Sequence, residues 1–150
     1  MRKIKYLIIA LLCAVAQGAW AQTTVTTDSE LRAAIANDGA NITVTSDIDL
    51  SNSTLSIESG RTVTINLGGY TLNRRLTMRG ESGGTVITVH NGAKLNLSNG
   101  TLKGGWGGNG GGLANEEGGT TNLSNVNIAG NTADDRGGGI CNFGTLTIDG

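Results

Sequence analysis

The feature that most constrains this chain is a repeat of about 25 residues that appears when the sequence is aligned on itself. Apolar-x-Asn triplets stand at Val89-His90-Asn91, Leu113-Ala114-Asn115 and Ile140-Cys141-Asn142. Leu97-Ser98-Asn99, Leu123-Ser124-Asn125 and Ile148-Asp149-Gly150 answer one another at nearly the same spacing. Glycine pairs precede the triplets at Gly83-Gly84, Gly111-Gly112 and Gly138-Gly139, and Leu102-Lys103-Gly104 is echoed by Ile128-Ala129-Gly130. A unit this short buries its apolar side only against its neighbours, so a chain built this way stacks into a solenoid.

Within the repeats the hydrophobic period is two. Ile42-Thr43-Val44, Ile48-Asp49-Leu50, Leu55-Ser56-Ile57, the run Val63 to Leu67 and Leu95-Asn96-Leu97 alternate apolar with small polar residues. Ser59-Gly60, Gly68-Gly69 and Asn91-Gly92 break the runs, and the Leu-x-x-Leu-x-Leu consensus of leucine-rich repeats is missing. The expected fold is all-β: a right-handed parallel β-helix over residues 41–150, its coils about 4.8 Å apart with Val, Ile and Leu inward. Like residues then stack on like, and Asn91, Asn115 and Asn142 are expected to form an amide ladder along the axis. Cys141, one position from inward Ile140, is expected to face outward or lie in a turn.

Segment 22–40 has a different period. Thr27-Asp28-Ser29-Glu30 is a capping box, Leu31, Ala34 and Ile35 make a narrow apolar stripe, and Asn37-Asp38-Gly39 supplies a stop. A helix this short does not stand alone, so it is expected to cap the N-terminal end of the core.

Residues 1–21 have the form of a secretory signal: Arg2, Lys3 and Lys5, an apolar run from Tyr6 to Ala16 too short to span a bilayer, and Ala19-Trp20-Ala21 as the small-x-small cleavage site. Its removal takes away Cys13 and leaves Cys141 as the only cysteine, so no intramolecular disulfide is expected. The basic count falls from 11 to 8 against 12 acidic residues, a net of about -4. That balance excludes an ordinary nucleic-acid binder, and no transmembrane helix is expected in the mature chain. By the repeat register the chain stops mid-coil at Ile148-Asp149-Gly150, which predicts further coils downstream.

Gly110-Gly111-Gly112-Leu113-Ala114-Asn115 and Gly137-Gly138-Gly139-Ile140-Cys141-Asn142 resemble the repeats of the pectate-lyase-like β-helix superfamily, and within it those of secreted adhesin-like and polymorphic outer-membrane proteins. The resemblance covers residues 28–150. It implies a surface or secreted protein and carries over no catalytic residue.

Candidate chemistry is sparse. Gly105-Trp106-Gly107-Gly108-Asn109-Gly110 matches G-x-G-x-x-G by letter, but no helix-forming sequence follows to hold a pyrophosphate, so no cofactor is expected and the stretch reads as a turn between coils. Gly112 stands where a calcium nonapeptide repeat needs Asp. Glu116-Glu117 and Asp134-Asp135 read as solvated turns, and His90 has no metal-site or nucleophile partner by spacing. The sequons at Asn41, Asn96, Asn99 and Asn122 are explained by stacking in an Asn- and Thr-rich repeat. Trp106 is a candidate sugar contact, and Arg74, Arg75 and Arg79, in a longer loop of the second coil, are candidates to grip an acidic glycan. The expected role is non-enzymatic adhesion or cell-envelope interaction, with glycans or cell-surface proteins as partners, at the cell surface, the outer membrane or outside the cell. The competing class is the N-terminal part of a β-helix polysaccharide lyase or glycosidase.

Overall fold

The computed structural model describes residues 21–50, 53–78 and 84–150, so nearly all of the export segment, and Arg79 with it, lies outside the described residues. The chain runs β1 (Thr23–Val25), α1 (Asp28–Ile35), β2 (Asn41–Val44), β3 (Ile48–Asp49), β4 (Leu55–Ile57), β5 (Thr62–Asn66), β6 (Thr71–Asn73) and β7 (Ile87–Val89). It continues through β8 (Lys94–Lys103), β9 (Trp106–Asn109), β10 (Leu113–Asn115), β11 (Thr120–Ile128), β12 (Thr132–Arg136), β13 (Ile140–Asn142) and β14 (Thr145–Asp149). The observed pairings are all parallel and join strands of successive coils, which makes a β-solenoid of about four turns.

One long sheet follows the order β1-β2-β5-β8-β11-β14, with β3 and β6 extending it towards the second half of β8. A second sheet stacks β4, β7, β10 and β13, and a third pairs only β9 with β12. Alternation places the apolar residues on the interior. Ile42, Ile65, Leu97, Leu123 and Ile148 form one column, and Leu55, Ile87, Leu113 and Ile140 another. The second coil is longer than the third: column partners Thr64 and Asn96 are 32 residues apart, Asn96 and Asn122 only 26.

The N-terminal end closes as its local sequence dictates. The Thr27 hydroxyl accepts from the Glu30 backbone N–H, and the Glu30 carboxylate accepts from the Thr27 N–H, so the capping box is complete. Leu31 and Ile35 are buried against the first coil. The segment also holds a strand that the periodicity does not signal: β1 pairs with β2, and its Val25 is buried. A three-residue strand carries too little pattern to be seen before its partner is known.

The repeated glycines have a steric origin. Gly110 and Gly137 occupy equivalent places in successive coils at φ 71° and 64°. A Cβ would lie 2.3 Å from the Leu113 carbonyl oxygen at the first and 2.0 Å from that of Ile140 at the second, too close for any side chain.

The expected Asn ladder needs correction at one rung. Ile87-Thr88-Val89 aligns with Leu113-Ala114-Asn115, so Val89 stacks on Asn115, and Asn91 sits two residues further on in an exposed turn. Burial decides this: apolar Ile87 and Val89 fill the interior, while Asn91-Gly92 has the chemistry of a turn, Gly92 lying at φ 74°. His90 consequently does not share a column with Ala114 and Cys141; Thr88 does. Between Asn115 and Asn142 the rung exists, with Asn115 Nδ2 donating to Asn142 Oδ1 at 2.7 Å.

Asn115 is 1% exposed and answers the polar demand of a core position completely. Its Nδ2 also donates to the Thr145 carbonyl at 3.0 Å, and its Oδ1 accepts from the Thr121 hydroxyl at 3.1 Å. Two further ladders run outside. Asn122 Nδ2 donates to Asn96 Oδ1 at 2.8 Å, and Asn99 Nδ2 donates to Asn66 Oδ1 at 3.2 Å.

Cys141 differs from expectation. It shares the outward parity of its column partner Ala114, yet it is 7% exposed and counts as buried. Alternation along a strand fixes which way a side chain starts out and not what neighbouring chain covers it.

Candidate functional site

Sheet position, rather than a turn, organises the region around Trp106. The middle of the glycine-rich stretch forms β9 and pairs in parallel with β12, so Trp106–Asn109, within the expected turn at Gly105–Gly110, and the expected turn at Asp134-Asp135 are strand. Glycine is a poor strand former, and nothing in the local pattern signals this strand. It is specified by the neighbouring coil. The Gly105 N–H donates to Asn131 Oδ1 and the Trp106 N–H to the Gly84 carbonyl, while the Thr132 N–H donates to the Gly105 carbonyl.

The β9–β12 register is irregular. Trp106 faces Thr132, Gly107 faces Ala133 and Asn109 faces Arg136, which leaves Asp134 and Asp135 together opposite Gly108. Such an insertion bends the strand and re-aims side chains, and it recurs beside binding sites. Here it brings Asp134 within reach of the indole: Trp106 Nε1 donates to Asp134 Oδ1 at 2.8 Å. Trp106 is half-buried, and the two partners are 28 residues apart, one coil of the solenoid.

Trp106 and Gly108 share the outward face of β9, whereas Gly107 points in, where a Cβ would meet the Thr85 hydroxyl at 2.6 Å. At Gly108 a Cβ would meet nothing within 4 Å. Gly108 therefore leaves an open, exposed patch of backbone beside the indole, with the Asp134-Asp135 insertion opposite it. Asn109 and Arg136 lie beyond it, and Arg136 Nε is 3.6 Å from Asp135 Oδ2.

The arginine group is not a free basic loop. Arg74 is 6% exposed and its guanidinium donates to the Leu50 carbonyl at 2.6 Å. Burial, with a smaller contribution from the nearby Arg32 charge, lowers its pKa below the ordinary arginine value. Arg75 is exposed and its Nε pairs with Asp49 Oδ1 at 2.6 Å; that hydrogen bond and charge raise its pKa. With Asn73 and Leu76 these residues line a hollow of about 420 Å³ beside β3 and β6, in which both guanidinium groups already have protein partners.

Three further carboxylates bridge one coil to the next. Asp38 accepts from the Thr62 N–H and Asp47 from the Thr71 N–H, each at 2.8 Å and each one coil away. Glu116 reaches back to His90, Oε2 to Nδ1 at 3.0 Å. Among the described residues no three His, Cys, Asp or Glu side chains are grouped to hold a metal ion, and no helix is long and apolar enough to cross a membrane.

Of the residues singled out by sequence, the structure thus connects Trp106 with one acidic pair, while Arg74 is engaged with the Leu50 carbonyl and Arg75 with Asp49. Comparison with known proteins finds no matching family model, no matching curated protein and no matching solved structure.

Proposed function

We propose that this chain is an exported or cell-surface β-solenoid whose role is adhesion or cell-envelope contact, without catalysis of its own. The observation that carries the reading is how the polar side chains are used. On the long sheet they form straight outward columns, Asn41, Thr64, Asn96, Asn122 and Thr147 in one and Thr43, Asn66, Ser98 and Ser124 in the next. Rows about 4.8 Å apart make a rigid, repetitive polar wall suited to many weak contacts in parallel. Export rests on the leader-like residues 1–21, and β1 begins at Thr23, directly after the cleavage point they define.

The test has two arms. Protease shaving of intact producing cells, followed by N-terminal sequencing, should find the chain accessible and starting at Gln22. Incubation with acidic and neutral polysaccharides should release neither unsaturated ends nor reducing sugar. Uncleaved chain confined to the cytosol overturns the localisation, and turnover of a polysaccharide transfers the protein to the lyase or glycosidase class.

A further inference from the structure

We propose that the open patch at Gly108 is a binding site for the ring of a neutral sugar, with Trp106 as its platform. The proposal deepens the surface-contact reading and rests on it for where the ligand is met. Three features converge on it. The indole is held in place by the bond from Nε1 to Asp134 Oδ1 at 2.8 Å, so little rotamer freedom remains to be lost on binding. Next to it on the same face, Gly108 leaves open space where any other residue would put a side chain. Opposite that space the register slips and delivers two carboxylates, Asp134 and Asp135, in place of one residue.

A pyranose ring has one face of C–H groups and a rim of hydroxyls. The C–H face matches an aromatic surface, and the hydroxyls are donors that match carboxylate and amide acceptors. Asp135, exposed and opposite Gly108, supplies such an acceptor. The same carboxylates repel a uronate or a sulfate ester, and the Arg136 charge beside them is already paired with Asp135. The ligand class is therefore a neutral glycan, distinct from the acidic glycan that the arginine group suggests.

The measurement is Trp106 fluorescence in the full chain carrying Trp20→Phe, so that one indole reports. It is titrated with neutral hexasaccharides of glucose, mannose and xylose, and with oligogalacturonate. Saturable change with at least one neutral hexasaccharide and none with oligogalacturonate is expected. Gly108→Leu should weaken that binding about tenfold or more with an unchanged melting temperature, because the added side chain occupies the open patch and its Cβ meets nothing within 4 Å. Asp135→Asn should weaken it less. Preference for oligogalacturonate, or full binding by Gly108→Leu, overturns the proposal. Absence of binding to all three neutral sugars overturns it too, and leaves the surface reading standing wherever the shaving result supports it.

Discussion

The first coil and strand β14 are built on the same alternation and are covered differently. At the N-terminal end Val25, Leu31 and Ile35 cover the interior of the first coil, and Leu31 is 0% exposed. At the other end β14 pairs on one side only, Leu146 is half-buried, and Ile148 and Phe143 are 61% and 54% exposed. An inward-pointing residue is buried only when chain lies both above and below it, so identical positions in one column differ in energetic weight. Ile65 and Leu97 sit mid-column and are fully enclosed, whereas Ile148 has a neighbour on one side alone. The core is also less apolar towards that end: Thr121 and Asn115 stand where Leu95 and Val89 stand one coil earlier.

The largest expected effect separates the ends directly. In the 150-residue chain, Leu31→Ala should cost about 2–5 kcal/mol, as for a large buried side chain with little room to relax, while Ile148→Ala should change stability by no more than about 0.5 kcal/mol. Denaturant melts of the two variants check this, and equal losses would break the comparison. Next, Asn115→Ala removes one buried amide and leaves Thr121 and Asn142 without their partner, at a cost of about 1–3 kcal/mol. Asn91→Ala, in an exposed turn, should melt with the parent. A shared loss would restore the ladder register that runs through Asn91.

A smaller effect concerns the order of opening. In the 150-residue chain amide exchange should be slowest in β5 and β8 and fastest in β14, and native Cys141 should react with a small alkylating agent far more slowly than the denatured chain. Uniform protection through β14, or alkylation of the native thiol at the denatured rate, contradicts the burial gradient. The smallest effect sits at the cap. Hydrogen bonds from the Thr26 backbone and hydroxyl, then from Thr27, hold the Glu30 carboxyl below its ordinary 4.5. Because the folded value is depressed, this contribution is complete above the unfolded pKa and is lost as pH falls through the folded one. Acidification below about pH 4.5 should loosen α1 before the mid-column strands, and Glu30→Gln should remove that acid dependence. Exchange rates of the α1 amides measured against pH give the answer.

The solenoid was legible because its causes are local and repeated. Alternation marks the inward residues of β2, β4, β5 and β8, and the Thr27–Glu30 box marks the start of α1 to the residue. The candidate site was only half legible. Trp106 stood out by rarity, but its partner Asp134 lies one coil away and read as part of a solvated turn. A spacing of 28 matches the repeat, so the coil register was the one available signal. Arg74 and Arg75 looked alike in sequence and proved different, one turned inward to the Leu50 carbonyl and the other outward to Asp49.

What the sequence determined by itself is therefore whatever depends on period and on near neighbours: parallel coils of about 25 residues, a capped helix at one end, and glycine where a Cβ would strike a carbonyl. The tertiary structure alone decided the choice between Val89 and Asn91 as the partner of Asn115, the covering of Cys141, the strand at Trp106–Asn109, and the pairing of Asp134 with Trp106. Each of these depends on which residues the coil above or below presents. Stacking energy is collected between coils, and a slip of two residues along the chain keeps the local pattern intact while exchanging every contact across the gap.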